Sequence, residues 1–221
     1  MVKVKICGIT NLEDALYAVG QGADALGFVF YKKSPRYIKP EKAEAIIKQL
    51  PESVKKVGVF VNSRQATIER IAGRLKLDML QFHGNESERF CDRFRSFKVI
   101  KAFRIRDRIN PAELSKYNVW AYLFDTFSKG KFGGTGKKFN WQLLSCLKNL
   151  NKPVFLSGGL TPTNLKKALR TFSADWVDAS SSLESSPGRK DPAKIRKFIE
   201  NARSATAALT IDLYPIRQYN K

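Results

Sequence analysis

The sequence is poor in the residues that build metal centres and covalent cross-links. It has one histidine, His83, and three cysteines, Cys7, Cys91 and Cys146, among 221 residues. Three widely spaced cysteines exclude a disulfide framework, and a lone histidine excludes a zinc site with paired ligands. Long apolar runs are also missing. No stretch approaches the roughly 18 apolar residues of a membrane span, and Lys3 and Lys5 interrupt the N-terminal apolar residues where a signal peptide needs a continuous core. A reducing, cytoplasmic setting is expected.

Acidic residues are scarce beside basic ones. Forty Lys and Arg against 20 Asp and Glu give a net charge of +20 and a pI near 10.0. Such a field raises the encounter rate of anionic ligands. A nucleic-acid surface would cluster its basic residues with aromatics between them. Here they are spread through nearly every helix, so they read as a solvated surface and nucleic acid is not expected as a partner.

What is present is an alternation. Strand-like runs occur at 2–7, 25–30, 55–61, 78–82, 98–103, 119–125, 153–156 and 175–178. Several are apolar throughout, as strands covered on both faces of a parallel sheet must be. Between them lie segments of helical period, among them Ala43, Ile46, Ile47 and Leu50, and Ile68, Ile71, Ala72 and Leu75. Start signals precede many: Thr10-Asn11, Pro40-Glu41, Asn62-Ser63, Thr161-Pro162 and Asp191-Pro192. Eight strands alternating with eight helical segments predict a single (β/α)8 barrel over residues 1–204, with 205–221 as a C-terminal extension. A doubly wound sheet is the alternative, disfavoured by the eight-fold count.

Barrel chemistry sits at the C-terminal ends of the strands. That rule nominates Cys7 after strand one, Lys33 to Tyr37 after strand two, and Gln81 to Gly84 after strand four. It adds Asp125 after strand six, Ser157-Gly158-Gly159 after strand seven and Asp178 to Ser182 after strand eight. Gly158 and Gly159 with Ser180 and Ser181 suit a phosphate cradle, because glycine lets backbone amides approach an anion and serines add donors. Cys7 and Asp125 end strands three steps apart around the ring. They face each other across the mouth, where one could remove a proton and the other supply one. A small apolar filler remains an alternative for Cys7, and a turn cap for Asp125.

Several stretches together resemble the phosphoribosylanthranilate isomerase family. They are Val4-Lys5-Ile6-Cys7-Gly8-Ile9-Thr10, Gly22-Ala-Asp-Ala-Leu-Gly-Phe28, Ser34-Pro-Arg-Tyr37, Gln81-Phe-His-Gly84, Leu123-Phe-Asp125, Gly133-Gly-Thr-Gly136, Leu156-Ser-Gly-Gly-Leu160 and Ser186-Pro-Gly-Arg-Lys-Asp191. The resemblance implies an Amadori rearrangement of N-(5-phosphoribosyl)anthranilate to 1-(2-carboxyphenylamino)-1-deoxyribulose 5-phosphate in tryptophan biosynthesis. It implies Asp125 as general acid, Cys7 as general base and Arg36 on the anthranilate carboxylate; Asp178 is expected among the substrate-binding residues, and His83 either lines the pocket or makes a structural hydrogen bond. No metal or organic cofactor is implied, because an aminoaldose forms its own iminium electron sink. A monomer or homodimer would serve.

Other phosphosugar barrels remain in view. A histidine-pathway aminoaldose isomerase would want a carboxylate where Cys7 stands, and indole-glycerol-phosphate synthase a lysine acid and an added N-terminal segment. Gly133 to Gly136 reads as a lid or loop support. Ser182 stands where the family usually has glycine, which predicts a strained loop or weakened phosphate binding.

Overall fold

In the computed structural model, which describes residues 1–127, 139–147 and 150–213, eight parallel strands close into one barrel. In chain order they are β1 (Lys3–Cys7), β2 (Ala25–Val29), β3 (Lys55–Phe60), β4 (Met79–Phe82), β5 (Lys98–Ile105), β6 (Ala121–Thr126), β7 (Val154–Leu156) and β8 (Trp176–Ala179). Each pairs with its sequence neighbour, and β1 also pairs with β8, Lys5 opposite Asp178 and Ile6 opposite Ala179. That seam distinguishes a barrel from the open, doubly wound sheet.

The helices are α1 (Leu12–Gly20), α2 (Pro40–Ile47), α3 (Gln65–Leu75), α4 (Glu88–Asp92), α5 (Pro111–Ser115), α6 (Leu165–Thr171) and α7 (Pro192–Leu213). Local chemistry starts them where the sequence suggests, with one shift. The Asn11 side chain accepts the Asp14 amide at the head of α1, and Pro40 opens α2. Helix α3 begins at Gln65, beyond the Asn62-Ser63 signal. There Asn62 instead adopts φ +48° and accepts the Asn85 amide, so it serves the loops and not a cap. After β6 the helical pattern closes as a 3-10 turn, Trp141–Leu147. Helix α7 runs through residue 204 to Leu213, and residues 214–221 lie outside the described residues. No described helix is long and apolar enough to cross a membrane.

The period of two along each strand sorts side chains into two cores. Val2, Val4 and Ile6 face outward into the layer beneath the helices, together with Leu26, Phe28 and Phe124. Inside the barrel, Ala25, Val57, Met79, Ile100, Ala102, Ala121, Leu123, Phe155 and Trp176 form a separate apolar filling. Phe155 and Trp176 stack at 4.8 Å between ring centroids. Toward the C-terminal ends the interior turns polar, with Lys5, Gln81, Asp125 and Asp178 all buried.

A second hairpin, β9 (Glu184–Ser186) with β10 (Arg189–Lys190), follows a short 3-10 turn, Ser181–Leu183. It brings Glu184 and Lys190 to the barrel mouth.

Phe155 is fully buried and has no room to be replaced by water. Phe155→Ala should therefore cost about 3–5 kcal/mol, measured by urea unfolding followed through tryptophan fluorescence.

Candidate active site

Cys7 ends β1 pointing into the barrel, two residues beyond Lys5 on the same face. Gly27 of the neighbouring strand makes space for it, since a Cβ there would stand 2.7 Å from Cys7 Sγ. Lys5 is fully buried, and its Nζ lies 2.6 Å from Asp178 Oδ1. Asp178 Oδ2 in turn accepts Ser157 Oγ at 3.2 Å. Burial pushes the Cys7 thiol up from its ordinary value; the Lys5 cation is the strongest pull the other way, Asp178 opposes it and Lys190 reinforces it. Burial also works against charge on Lys5, but Asp178 outweighs it, so the ammonium is held above its usual range.

Across the mouth, Asp125 projects from β6 and is fixed at both oxygens. Oδ1 accepts the Thr126 amide at 2.7 Å, and Oδ2 lies 3.0 Å from His83 Nε2. The other ring nitrogen, Nδ1, stands 2.7 Å from Gln81 Nε2. Gln81, His83 and Asp125 thus form a buried chain on the inward faces of β4 and β6.

Arg36 is engaged differently from the open carboxylate clamp that the resemblance implies. Its Nε and Nη2 bind the two oxygens of Glu184 at 2.8 and 2.7 Å, leaving Nη1 as the nitrogen not engaged by Glu184. Glu184 also accepts Lys190 Nζ at 3.1 Å, and Lys190 reaches the Ser180 carbonyl at 3.1 Å. Burial works to raise the Glu184 carboxyl, yet Arg36 and Lys190 outweigh it and hold it below the usual range. Burial lowers Lys190 in spite of Glu184. Arg36 and Ser180 both crowd the end of β1: a Cβ on Gly8 would lie 2.8 Å from Arg36 Cδ and 2.9 Å from Ser180 Oγ.

The loops after β7 and β8 meet beside these groups. Gly158 and Gly159 have φ of +77° and +68°, and a Cβ on Gly158 would sit 2.6 Å from Thr126 Oγ1. Only glycine fits there. Among the described residues, Ser180 Oγ and Thr126 Oγ1 are buried without a hydrogen-bond partner, as is Gln81 Oε1. Ser181 opens the 3-10 turn. Ser182 differs from expectation. Its φ is not positive, and its hydroxyl donates to the Leu160 carbonyl, so it ties the two loops together without backbone strain. Gly133 to Gly136 lie outside the described residues.

The predicted site residues among those described therefore reach the C-terminal mouth in three groups: Cys7 with Asp178, Asp125 with His83, and Arg36 beside the Gly158, Gly159, Ser180 and Ser181 loops. Of the wider nominated stretches, Phe82 turns instead into the core beside Phe90 and Phe94. Lys5, Gln81, Glu184 and Lys190 are buried polar members of these groups to which the sequence assigns no role. For Lys5 the signal existed, since it sits two residues before Cys7 on the same strand face, and Gln81 lies within the stretch nominated after strand four.

The family model for N-(5′-phosphoribosyl)anthranilate isomerase matches residues 4–201. The chain belongs to this family. The N-(5′-phosphoribosyl)anthranilate isomerase of Geotalea uraniireducens strain Rf4 is 50% identical over 203 residues, covering 92% of this chain and 99% of that protein. Two crystal structures of phosphoribosylanthranilate isomerases, each 40% identical and each covering 92% of this chain and all of that one, match with TM-scores of 0.80 and 0.81. The first is a complex with reduced 1-(o-carboxyphenylamino)-1-deoxyribulose 5-phosphate. The second is of monomers generated from the dimeric enzyme of Thermotoga maritima. The chain is thus an isomerase of tryptophan biosynthesis with a (β/α)8 barrel.

The buried pair behind Cys7 generates a stability prediction. Lys5→Met leaves Asp178 without its partner and should cost about 3–5 kcal/mol, whereas Lys5→Met with Asp178→Leu should recover most of it. Denaturant unfolding of both variants checks this.

Proposed function

We propose that Cys7 is the general base and Asp125 the general acid of the isomerisation. The observation that carries this reading is their placement. They are inward side chains at the ends of β1 and β6, on opposite walls of one mouth, each backed by its own buried polar group.

The steps balance as follows. Asp125 gives its proton to the furanose ring oxygen as the bond from that oxygen to C1′ breaks. The anthranilate nitrogen lone pair forms the C1′=N bond of the iminium. The Cys7 thiolate takes the proton from C2′, and the released electron pair forms C1′=C2′ while the iminium electrons return to nitrogen. The enolamine then tautomerises to the ketone. No metal or organic cofactor is needed, because the iminium is the electron sink.

Binding follows the same geometry. Gly158, Gly159, Ser180 and Ser181 hold the phosphate, supported by the unpartnered Ser180 hydroxyl and the two glycines of positive φ. Arg36, oriented by Glu184, meets the anthranilate carboxylate with its remaining nitrogen. The parallel-donor edge of the guanidinium is taken by Glu184, so the contact from Nη1 is a single charge-assisted one. His83 and Asp178 line the site. Residues 1–204 form the catalytic unit and 205–221 an extension. The substrate is the partner, with a monomer or a homodimer as the acting species, and the three free cysteines suit a reducing cytoplasm.

The test is a turnover assay with EDTA present, in which phosphoribosylanthranilate is made in situ and its fluorescence followed. Cys7→Ser and Asp125→Asn should each lose about 10²–10⁴-fold in kcat/KM. Full activity of either variant overturns that residue's role.

A further inference from the structure

His83 is gripped at both ends, and the two grips are not equivalent. Gln81, His83 and Asp125 are 1%, 7% and 7% exposed, so solvent does not satisfy them. With Gln81 Nε2 donating to Nδ1, that nitrogen is a bare acceptor. The ring hydrogen must then lie on Nε2, from which it donates to Asp125 Oδ2. This arrangement suits an ionised Asp125. A protonated Asp125 needs the reverse, with Nε2 presenting its lone pair and Nδ1 carrying the hydrogen.

Nδ1–H would need an acceptor, and one is at hand. Gln81 Oε1 is buried and has no partner among the described residues. A half-turn of the amide exchanges two atoms of similar size and brings that oxygen to Nδ1. Asp125 Oδ1 is already committed to the Thr126 amide, so the proton in question belongs to Oδ2, the oxygen facing His83.

We propose that Gln81 is a positioning residue for the acid: its amide decides which nitrogen of His83 carries the hydrogen, and through that whether Asp125 is held as carboxylate or as carboxylic acid. With Oε1 toward the ring, Nδ1 keeps its hydrogen, and one proton is shared between His83 Nε2 and Asp125 Oδ2. Asp125 gives that proton to the ring oxygen, and one proton from solvent restores the pair. The inference rests on Asp125 being the general acid.

Other charges around the chain are accounted for. On β5, Lys101 is closed on Glu86 at 2.8 Å, and Arg104, the register partner of Asp125, donates to Asn85 at 2.6 Å. The mouth ends of β3 and β7 bring Val59, Val61 and Ser157, none of which titrates near neutrality. Cys7 and the Lys5–Asp178 pair stand across the mouth.

The single histidine makes the test clean. In protein labelled with ¹⁵N-histidine, proton–nitrogen correlation spectra report one ring. The wild type should show hydrogen on Nε2 in the unliganded enzyme near neutral pH. Gln81→Glu, whose carboxylate only accepts, should move it to Nδ1 and shift the alkaline limb of kcat/KM upward by about one pH unit. An unchanged tautomer, or a changed tautomer with an unmoved limb, overturns the proposal. Should Gln81→Glu not fold, Gln81→Met provides the second reading. It should give a mixture of both ring forms, and retention of a single Nε2–H form overturns the proposal. Asp125→Asn separates the layers. If it stays active the acid assignment itself fails; if it is inactive while Gln81→Glu behaves as wild type, only the role of Gln81 falls.

Discussion

The site depends on a buried ion pair at the seam where the barrel closes. Lys5 and Asp178 face each other across β1 and β8, with Nζ 2.6 Å from Oδ1 and essentially no solvent around them. Removing two charges from water is costly, and the attraction between them offsets the cost only with good geometry and satisfied remaining atoms. Both conditions are met here, because the strand register places the residues opposite one another and Ser157 holds the second carboxylate oxygen. The pair also supplies something that packing alone cannot. It leaves a full positive charge close enough to Cys7 to offset part of the burial that holds the thiol above its ordinary value.

The same logic organises the rest of the mouth. The lower interior is filled by apolar side chains around Phe155 and Trp176. Above it, each functional group is held by a second buried one: Cys7 by the Lys5–Asp178 pair, Asp125 by His83, and Arg36 by Glu184. The hairpin β9–β10 makes the last of these possible, and Lys190 ties it back to the Ser180 carbonyl. The other buried cysteine, Cys91 on the inner face of α4, is pushed up to about 12 by burial. Both thiols are raised chiefly by burial, with Lys5 pulling Cys7 down and Lys101 pulling Cys91 down.

The barrel was legible in the alternation of short apolar runs and helical segments, and the strand-end rule located Cys7, Asp125 and the two loops. What stayed hidden was which face of a strand is the inside. In Val2-Lys3-Val4-Lys5-Ile6 the valines look like the core face, and they do face a core, the one beneath the helices. The barrel interior takes Lys5 instead, while Lys3, on the same face, stays exposed at the start of the strand. Arg36 and Glu184 lie 148 residues apart, so no local pattern joins them. The loop strain expected of Ser182 assumes a backbone conformation reserved for glycine. Its turn is one that any residue adopts, and its hydroxyl supports the loop. Gln81 and His83, by contrast, could have been joined from sequence, because the period of two puts them side by side.

The central claim is that the Lys5 cation makes a usable base of a buried thiol. The most direct measurement is the pH dependence of Cys7 alkylation by iodoacetamide, in a Cys146→Ser background, with the Cys7 peptide quantified by mass spectrometry. Burial should place the rise in the wild type above the ordinary thiol value of 9.0. Lys5→Met, under conditions where near-ultraviolet circular dichroism shows it folded, should move the rise to still higher pH. Alkylation at pH 8 should slow by about tenfold, the equivalent of one pH unit. Identical curves for wild type and Lys5→Met would contradict the claim.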